Sequence, residues 1–248
     1  MAVGSALRGA LGFLTRVPVG HSARAWEAFR RHPEVMVIAA YPLGGLFAIP
    51  VIAPIPTVTT AVVLPAWIIL VTGITHLDGL ADCGDAAVVH DDRDRKAILK
   101  DSAIGVGGVT AIGIVLLGVA TAGYALAAVP VGVAIGAVIA AEVGAKAGMA
   151  AVACVGEATH DGLGAALARP TAPIRIGLVG ILALPAIALT WPTPVAAGTL
   201  GATVLASGSV YGWARRSLGG ISGDVFGATN ELARLAGLHA GVLVWTLL

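Results

Sequence analysis

The sequence predicts an all-α protein that crosses a membrane several times, with its motif-bearing loops on the cytoplasmic side. Hydrophobic residues make up 57% of the 248 residues, charged residues only 12%, and the mean hydropathy is +0.91. Soluble domains carry roughly 25% charged residues, so a water-soluble core could not bury this much apolar surface. The net charge of +1 offers no strongly basic surface, which excludes nucleic acid as a partner and leaves the lipid bilayer.

The N-terminal segment, residues 1–33, is expected to be an amphipathic element on the cytoplasmic membrane surface. Arginines are spread along it without an uninterrupted apolar core, which argues against a secretory signal and for an interfacial segment. They are Arg8, Arg16, Arg24, Arg30 and Arg31. Residues 34–248 are predicted to form the transmembrane bundle of a single integral membrane domain.

Apolar runs define the bundle, because a spanning helix needs about 20 apolar residues. Six runs qualify, at 34–54, 57–75, 106–128, 130–155, 174–190 and 194–211. Short, uncharged connections that contain proline join them into three antiparallel pairs. The final stretch, 235–248, is short for a full span, so the prediction is six to seven transmembrane helices.

The longer connections between the pairs carry most of the remaining Lys and Arg residues. Positive charge concentrates in cytoplasmic loops, which places these connections on the inner side of the cell membrane. They are residues 76–105, 156–173 and 212–235.

The first acidic motif is THLDGLADCGDA, residues 75–86, where Asp78, Asp82 and Asp85 share one helical face at i, i+4 and i+7. Clustered carboxylates repel one another, and at mid-membrane each would cost about 2.5–3.5 kcal/mol. Oxygen ligands without a nearby cysteine pair predict Mg²⁺, with Mn²⁺ as an alternative. A solvated acidic helix start is the structural alternative. His76 is a candidate base, a ligand or a loop histidine.

The second acidic motif is GGISGDVFGATNEL, residues 219–232, with Asp224 and Glu231 at i and i+7. Gly220 and Gly223 would let a ligand approach closely, and exposed backbone N–H groups there could receive phosphate. We expect this motif to form the second wall of the same metal site.

Two further charged groups stand out. Lys100 and Asp101 precede a glycine-rich helix start at Gly105, which suits a phosphate but does not match the spacing of a P-loop. Glu142 and Lys146 stand at i and i+4 inside the fourth apolar run, as either a structural ion pair or a substrate contact.

With these motifs in order, the chain resembles the cobalamin synthase family, the adenosylcobinamide-GDP ribazoletransferases, over nearly its whole length. The family often has a Ser-Arg pair in the fourth span, where this chain reads AAEVGAKAG, so Lys146 would replace the arginine. The matching blocks are FLTRVPV (13–19), YPLGGL (41–46), HLDGLADCGDA (76–86), RDRKAILKDSAIGVGG (93–108), DGLG (161–164) and LGGISGDVFGATNEL (218–232).

The resemblance implies a magnesium-dependent phosphotransferase that joins adenosylcobinamide-GDP to α-ribazole or its 5′-phosphate and releases GMP. Carboxylates would hold metal on the diphosphate, cations and backbone would contact phosphate, and one carboxylate or His76 would accept the ribazole hydroxyl proton. The predicted metal ligands are Asp78, Asp82, Asp85, Asp224 and Glu231. The predicted phosphate contacts are Arg16, Lys100, Asp101, Gly105, Lys146, Gly220 and Gly223. The candidate catalytic residues are Asp82, Asp85 and His76.

Other functions are less consistent with the sequence. A CDP-alcohol phosphotransferase would need a DGxxAR core, but Asp78-Gly79 is followed by Leu80-Ala81-Asp82. A transporter would need polar groups near the midplane, where Glu142 and Lys146 are the clear candidates. A purely structural subunit leaves the aspartates unexplained. The sequence leaves open whether the protein forms a homo-oligomer or associates with other corrinoid-pathway enzymes.

Overall fold

The computed structural model describes residues 2–20, 22–89, 95, 103–168 and 174–248, and its regular elements are helices. We number the helices α1 to α12 in chain order. They are α1 Ala2–Leu14, α2 Ala23–Arg31, α3 Val35–Phe47, α4 Ile49–Ile52, α5 Thr57–Thr72, α6 Thr75–Val88, α7 Val106–Leu126, α8 Val131–Val155, α9 Leu163–Leu167, α10 Ile174–Ala183, the 3₁₀ helix Leu184–Thr190, α11 Val195–Ser217 and α12 Gly223–Thr246. The predicted all-helical class is confirmed for this part of the chain.

Within the described ranges, three helical segments are long and apolar enough to cross a membrane. They are Val35–Ile52, Val106–Leu126 and Val131–Val155. A fourth span results if α5 and α6 count as one, although the two helices meet at 104°. The structure therefore supports a membrane protein with three to four candidate spans, and the predicted six to seven spans in antiparallel pairs are not confirmed.

Two of the predicted segments differ in the structure. The run at 174–190 is split between α10 and a 3₁₀ helix, where Pro185 stands in the first turn and cannot donate a backbone hydrogen bond. The final apolar stretch is the second half of α12, which is one continuous helix from Gly223 to Thr246. Much of the predicted loop 212–235 is consequently helical.

The 25-residue helix α8 lies at the centre of the bundle, and most of its side chains are buried. Small residues let its neighbours approach closely. A Cβ at Gly44 of α3 would lie 2.7 Å from the Cα of Ile139, and one at Gly148 would overlap the side chain of Ser207 on α11. In lipid the hydrophobic effect contributes little to the association of helices. Close backbone packing of this kind therefore stabilises the bundle through van der Waals contacts.

The N-terminal helices α1 and α2 form a hairpin that packs against this bundle. The rings of Phe13, Trp26 and Phe29 contact one another, with the centroids of Phe13 and Phe29 5.5 Å apart. Ser22 caps α2 by accepting a hydrogen bond from the Ala25 N–H. The Arg16 N–H donates to the Val71 carbonyl at 2.7 Å, which holds the end of the hairpin against α5.

Candidate active site

The first acidic motif lies on α6, which begins at a sharp break after α5. Gly73 caps α5 with a φ of +78°, a backbone conformation that favours glycine. The chain then turns through 104° into α6. This bend takes α6 out of the direction of the preceding span, so we treat it as lying outside the membrane-spanning segments. Asp78 is exposed and Asp82 is partly buried on this helix.

The second acidic motif meets the first because α6 crosses the beginning of α12 at two glycines. A Cβ at Gly79 would lie 2.7 Å from the Cα of Asp224, and one at Gly227 would lie 2.6 Å from the carbonyl oxygen of His76. Real side chains essentially never approach backbone this closely, so only glycine permits the crossing. Asp224 therefore lies beside the helix that carries Asp78 and Asp82.

The three carboxylates interact electrostatically. Burial, reinforced by the charges of Asp224, Asp78 and Asp85, raises the pKa of Asp82 to about 6. Burial also raises the pKa of Asp224, and Asp78 adds to this effect, whereas a hydrogen bond from Ser222 opposes it. A cation placed among these carboxylates would relieve their repulsion. We call Asp78, Asp82 and Asp224 the acidic cluster.

Asp85 has a different role, because both of its carboxylate oxygens accept backbone hydrogen bonds. One oxygen accepts from the Gly105 N–H at 2.7 Å and the other from the Gly108 N–H at 2.8 Å. These groups begin α7, so Asp85 supplies the helix cap from a neighbouring helix and its charge is favourable at that terminus. A Cβ at Gly105 would overlap this carboxylate. Asp85 and Gly105 are thus occupied structurally rather than available as the predicted metal ligand and phosphate contact.

Glu231 and Lys146 belong to a second group, a buried ion network between α8 and α12. Lys146 Nζ lies 2.7 Å from a Glu142 oxygen and also donates to the side-chain oxygen of Asn230. Arg234 donates to Glu142 at 2.9 Å and makes two bonds with Glu231 at 2.7 and 2.8 Å. Lys146 is fully buried, so its contacts indicate a structural ion pair and not the predicted phosphate contact.

His76 is attached to the same network. Because lysine can only donate, the Asn230 oxygen faces Lys146 and its NH₂ group faces Nδ1 of His76, 3.2 Å away. Nδ1 therefore accepts and the proton of the ring lies on Nε2. Burial and the nearby Lys146 and Arg234 charges hold the pKa of His76 well below its ordinary value. A buried imidazole with a lowered pKa, whose Nδ1 lone pair already accepts from Asn230, is poorly suited to the predicted role of general base.

The remaining predicted phosphate contacts differ in their surroundings. Gly220 packs against the carbonyl of Glu157, next to the single bridge between Ala158 and Ile221, so it has no free space for phosphate. Gly223 is more open, since the nearest atom to its Cβ position is Leu163 Cβ at 3.8 Å. The side chain of Arg16 lies over Gly73 at the α5–α6 break. Lys100 and Asp101 lie outside the described residues.

Comparison with known protein families matches residues 6–242 of the chain to cobalamin-5-phosphate synthase. The chain belongs to this family. It is 51% identical to an adenosylcobinamide-GDP ribazoletransferase of Halorubrum lacusprofundi, with 98% of each chain covered. A protein of the same name from Haloquadratum walsbyi is 46% identical over 98% of this chain and 99% of its own. One from Methanococcoides burtonii is 32% identical over 93% of this chain and 89% of its own. No solved structure matches the chain at a significant level.

The donors of the acidic cluster are carboxylate oxygens, which are the ligands that hard divalent cations prefer. The cluster could therefore hold such an ion. Among the described residues, no three His, Cys, Asp or Glu side chains form a ready-made metal site. Mg²⁺ commonly binds through one or two carboxylates and completes its coordination with water and substrate phosphates. The cluster is consistent with that mode rather than with a closed protein cage.

Sequence reasoning missed two members of the ion network in this family member, Asn230 and Arg234. Asn230 precedes Glu231 inside the second acidic motif, and Arg234 follows Glu231 at i+3, the spacing of a helical ion pair. The spacing was a usable signal for Arg234. The contact of Asn230 with His76, 154 residues apart in the chain, could not be found from spacing alone.

Proposed function

We propose that this protein is an adenosylcobinamide-GDP ribazoletransferase of the cell membrane. In this reaction, the hydroxyl of α-ribazole or its 5′-phosphate attacks the phosphorus bonded to cobinamide. A new phosphorus–oxygen bond forms, the bond to the GMP oxygen breaks, and the hydroxyl proton is lost. The name carried by relatives that cover 98% of the chain supports this activity.

The observation that supports a phosphotransfer site is the close crossing of α6 and α12 at Gly79 and Gly227. This crossing brings acids from two distant motifs together. Phosphoryl transfer depends mainly on positioning and on neutralising phosphate charge. A diphosphate could not approach bare carboxylates without a cation, which supports a magnesium requirement, with Mn²⁺ as a substitute. When bound, the ion would neutralise the phosphate oxygens and polarise the phosphorus.

Within the acidic cluster, we assign Asp78 and Asp224 to holding the ion on the diphosphate. Asp82 would accept the hydroxyl proton, because burial, the largest cause of its raised pKa, makes it a better base near neutral pH than an ordinary aspartate. Gly223, which precedes Asp224, and Arg16, whose side chain packs over Gly73 before α6, would contact phosphate oxygens. Asp85, Glu231, Lys146 and His76 are assigned to holding the helices in place.

The site is proposed to face the cytoplasm, where nucleotide substrates occur. Several arginines that the hydropathy pattern places outside the spans support this orientation through their excess on one side of the membrane. They are Arg8, Arg16, Arg30, Arg31, Arg215 and Arg216.

The decisive test is GMP release by the purified protein in lipid nanodiscs given adenosylcobinamide-GDP and α-ribazole. We expect release to require both substrates and Mg²⁺, with partial activity in Mn²⁺. Asp82→Asn should lower kcat by about 10²-fold or more while the protein stays folded, as expected for loss of a general base. Glu27→Gln, the same chemical change on an exposed ion pair of α2, is the matched control. Full activity of Asp82→Asn, or turnover in the presence of a chelator, would contradict the assignment.

A further inference from the structure

Two cavities border the N-terminal hairpin: the first opens between α1, α2 and Leu163 at the start of α9, and the second is formed by the end of α1 and the α1–α2 connection. One has a volume of about 400 Å³ and is lined by Arg8, Phe13, Trp26 and Leu163 among others. The second has a volume of about 500 Å³ and follows the chain from Gly12 to Gly20 past Arg16. Both are lined by Gly12 and Gly20, so they adjoin at these residues, and we call them together the N-terminal trough.

Each cavity has one lining residue that also contacts a segment next to an acidic motif. At one end, Leu163 is the nearest neighbour of the Cβ position of Gly223, the residue that precedes Asp224. At the other end, the side chain of Arg16 packs over Gly73, where the chain turns into α6. A molecule lying in the trough would therefore be separated from the segments next to the acidic cluster by Leu163 at one end and by the side chain of Arg16 at the other.

The lining suits a heteroaromatic ring linked to a polar group. The rings of Phe13 and Trp26 lie 5.9 Å apart at 45° and both border the first cavity. Stacking on aromatic side chains is a general way to hold nucleobases, and it tolerates different bases. Arg8 borders the same cavity and Arg16 the second, which gives cationic groups for a phosphate or sugar. The volumes fall within the roughly 300–1,000 Å³ of small-molecule sites.

We propose that the N-terminal trough binds the heteroaromatic nucleoside part of a substrate and directs it to the acidic cluster. This inference rests on the proposed function, in which each substrate contains such a nucleoside: the ribazole of one and the guanosine of the other. The base lies on Phe13 and Trp26, and the sugar end points along the trough. A lipid chain would use the apolar rings but not the arginines that border both cavities.

The test fills the trough from a glycine that has room for a side chain. Gly12 borders both cavities, and its Cβ position meets only Val19 Cγ2, at 3.3 Å. Gly12→Leu should block the trough. Gly4→Leu is the matched control, because Gly4 is on the same helix, has no atom within 4 Å of its Cβ position and does not border the trough. Trp26→Leu, with Trp26→Phe to restore an aromatic ring, is a second and independent pair.

The readouts are the KM for each substrate and kcat for GMP release in nanodiscs. We expect Gly12→Leu and Trp26→Leu to raise the KM of one substrate about tenfold, the size of a lost base-stacking contact, with kcat little changed. The affected substrate identifies the source of the nucleoside. Gly4→Leu should stay near wild type, and Trp26→Phe should recover most of the affinity that Trp26→Leu loses. Unchanged KM values in Gly12→Leu would overturn the proposal, and so would an equal rise for both substrates with a lower kcat.

Equilibrium dialysis with α-ribazole and with GMP separates this inference from the proposed activity, because it needs no turnover. If the wild-type protein releases no GMP, the proposed function fails. Weaker binding of either probe by Gly12→Leu, but not by Gly4→Leu, would then still support a nucleoside site. Equal binding by both variants, or release of either probe by added phospholipid alone, would overturn it.

Discussion

The crossing of α6 and α12 predicts that one methyl group at Gly79 inactivates the enzyme. In Gly79→Ala, the new Cβ would lie 2.7 Å from the Cα of Asp224 and 2.9 Å from its carbonyl oxygen. Both are backbone atoms, so no side chain can rotate away. Ordinary contacts between carbon atoms are about 3.5–4.0 Å, so the helices must separate by about 0.8 Å or more.

The expected stability loss is small because two effects oppose each other. Overpacking typically costs about 1–3 kcal/mol. Alanine is a better helix former than glycine by about 1 kcal/mol. The free energy of unfolding should therefore fall by about 0–2 kcal/mol, which leaves the protein folded.

The activity loss should be much larger, because Asp224 lies on one of the separated helices and Asp78 and Asp82 on the other. A misplacement of about 1 Å in a catalytic site can cost about 10²-fold in rate. We expect kcat for GMP release to fall by about that factor, with a weaker response to Mg²⁺.

The control is Gly113→Ala on α7, whose Cβ position has no atom within 4 Å. This variant should keep wild-type activity and a similar or slightly higher Tm. The two variants are compared by GMP release in nanodiscs and by thermal unfolding of the same preparations. Wild-type kcat in Gly79→Ala would refute the reasoning, since it would mean that the crossing does not set the distance between the acids.

Three further predictions concern Asp82, Asp85 and Lys146. Asp82 binds its proton more tightly when folded, with a pKa of about 6 against an ordinary 3.8. The Tm of metal-free protein should therefore fall as pH rises from about 4 to about 6, and Mg²⁺ should raise it more at pH 7 than at pH 5. Asp82→Asn should reduce this slope and leave the part due to Asp224, whose pKa is also raised. Asp85→Ala leaves two N–H groups at the start of α7 without their acceptor, so the free energy of unfolding measured with denaturant should fall by about 2–4 kcal/mol. If Asp85 were instead a metal ligand, the variant would have a lower Mg²⁺ affinity and unchanged stability. Lys146→Met leaves Glu142 partly unpaired and should cost about 3 kcal/mol, and adding Glu142→Gln should recover part of that loss, with KM unchanged throughout.

The carboxylates show why spacing along the chain could not divide the acidic residues by role. Asp82 and Asp85 stand in one motif and on one helical side, and their types and spacing are equally suited to metal binding. The structure distinguishes them because the start of α7 lies against Asp85 and provides two N–H donors. Glu231 is likewise paired with Arg234. The helical spacing of these two residues is visible in the sequence, but their burial is not.

By itself, the sequence determined the helical class, the membrane character, the family and the two acidic motifs, because composition, periodicity and ordered motif blocks are local properties of the chain. Only the tertiary structure decided which acids meet. The contact of Gly79 with Asp224 joins helices far apart in the sequence, and the angle of 104° at Gly73 is a property of the folded chain. The predicted span count is not confirmed, because apolar length alone does not show that α5 bends into α6 or that α12 continues without a break. Burial and backbone approach are properties of packed helices, and hydropathy along one chain does not contain them.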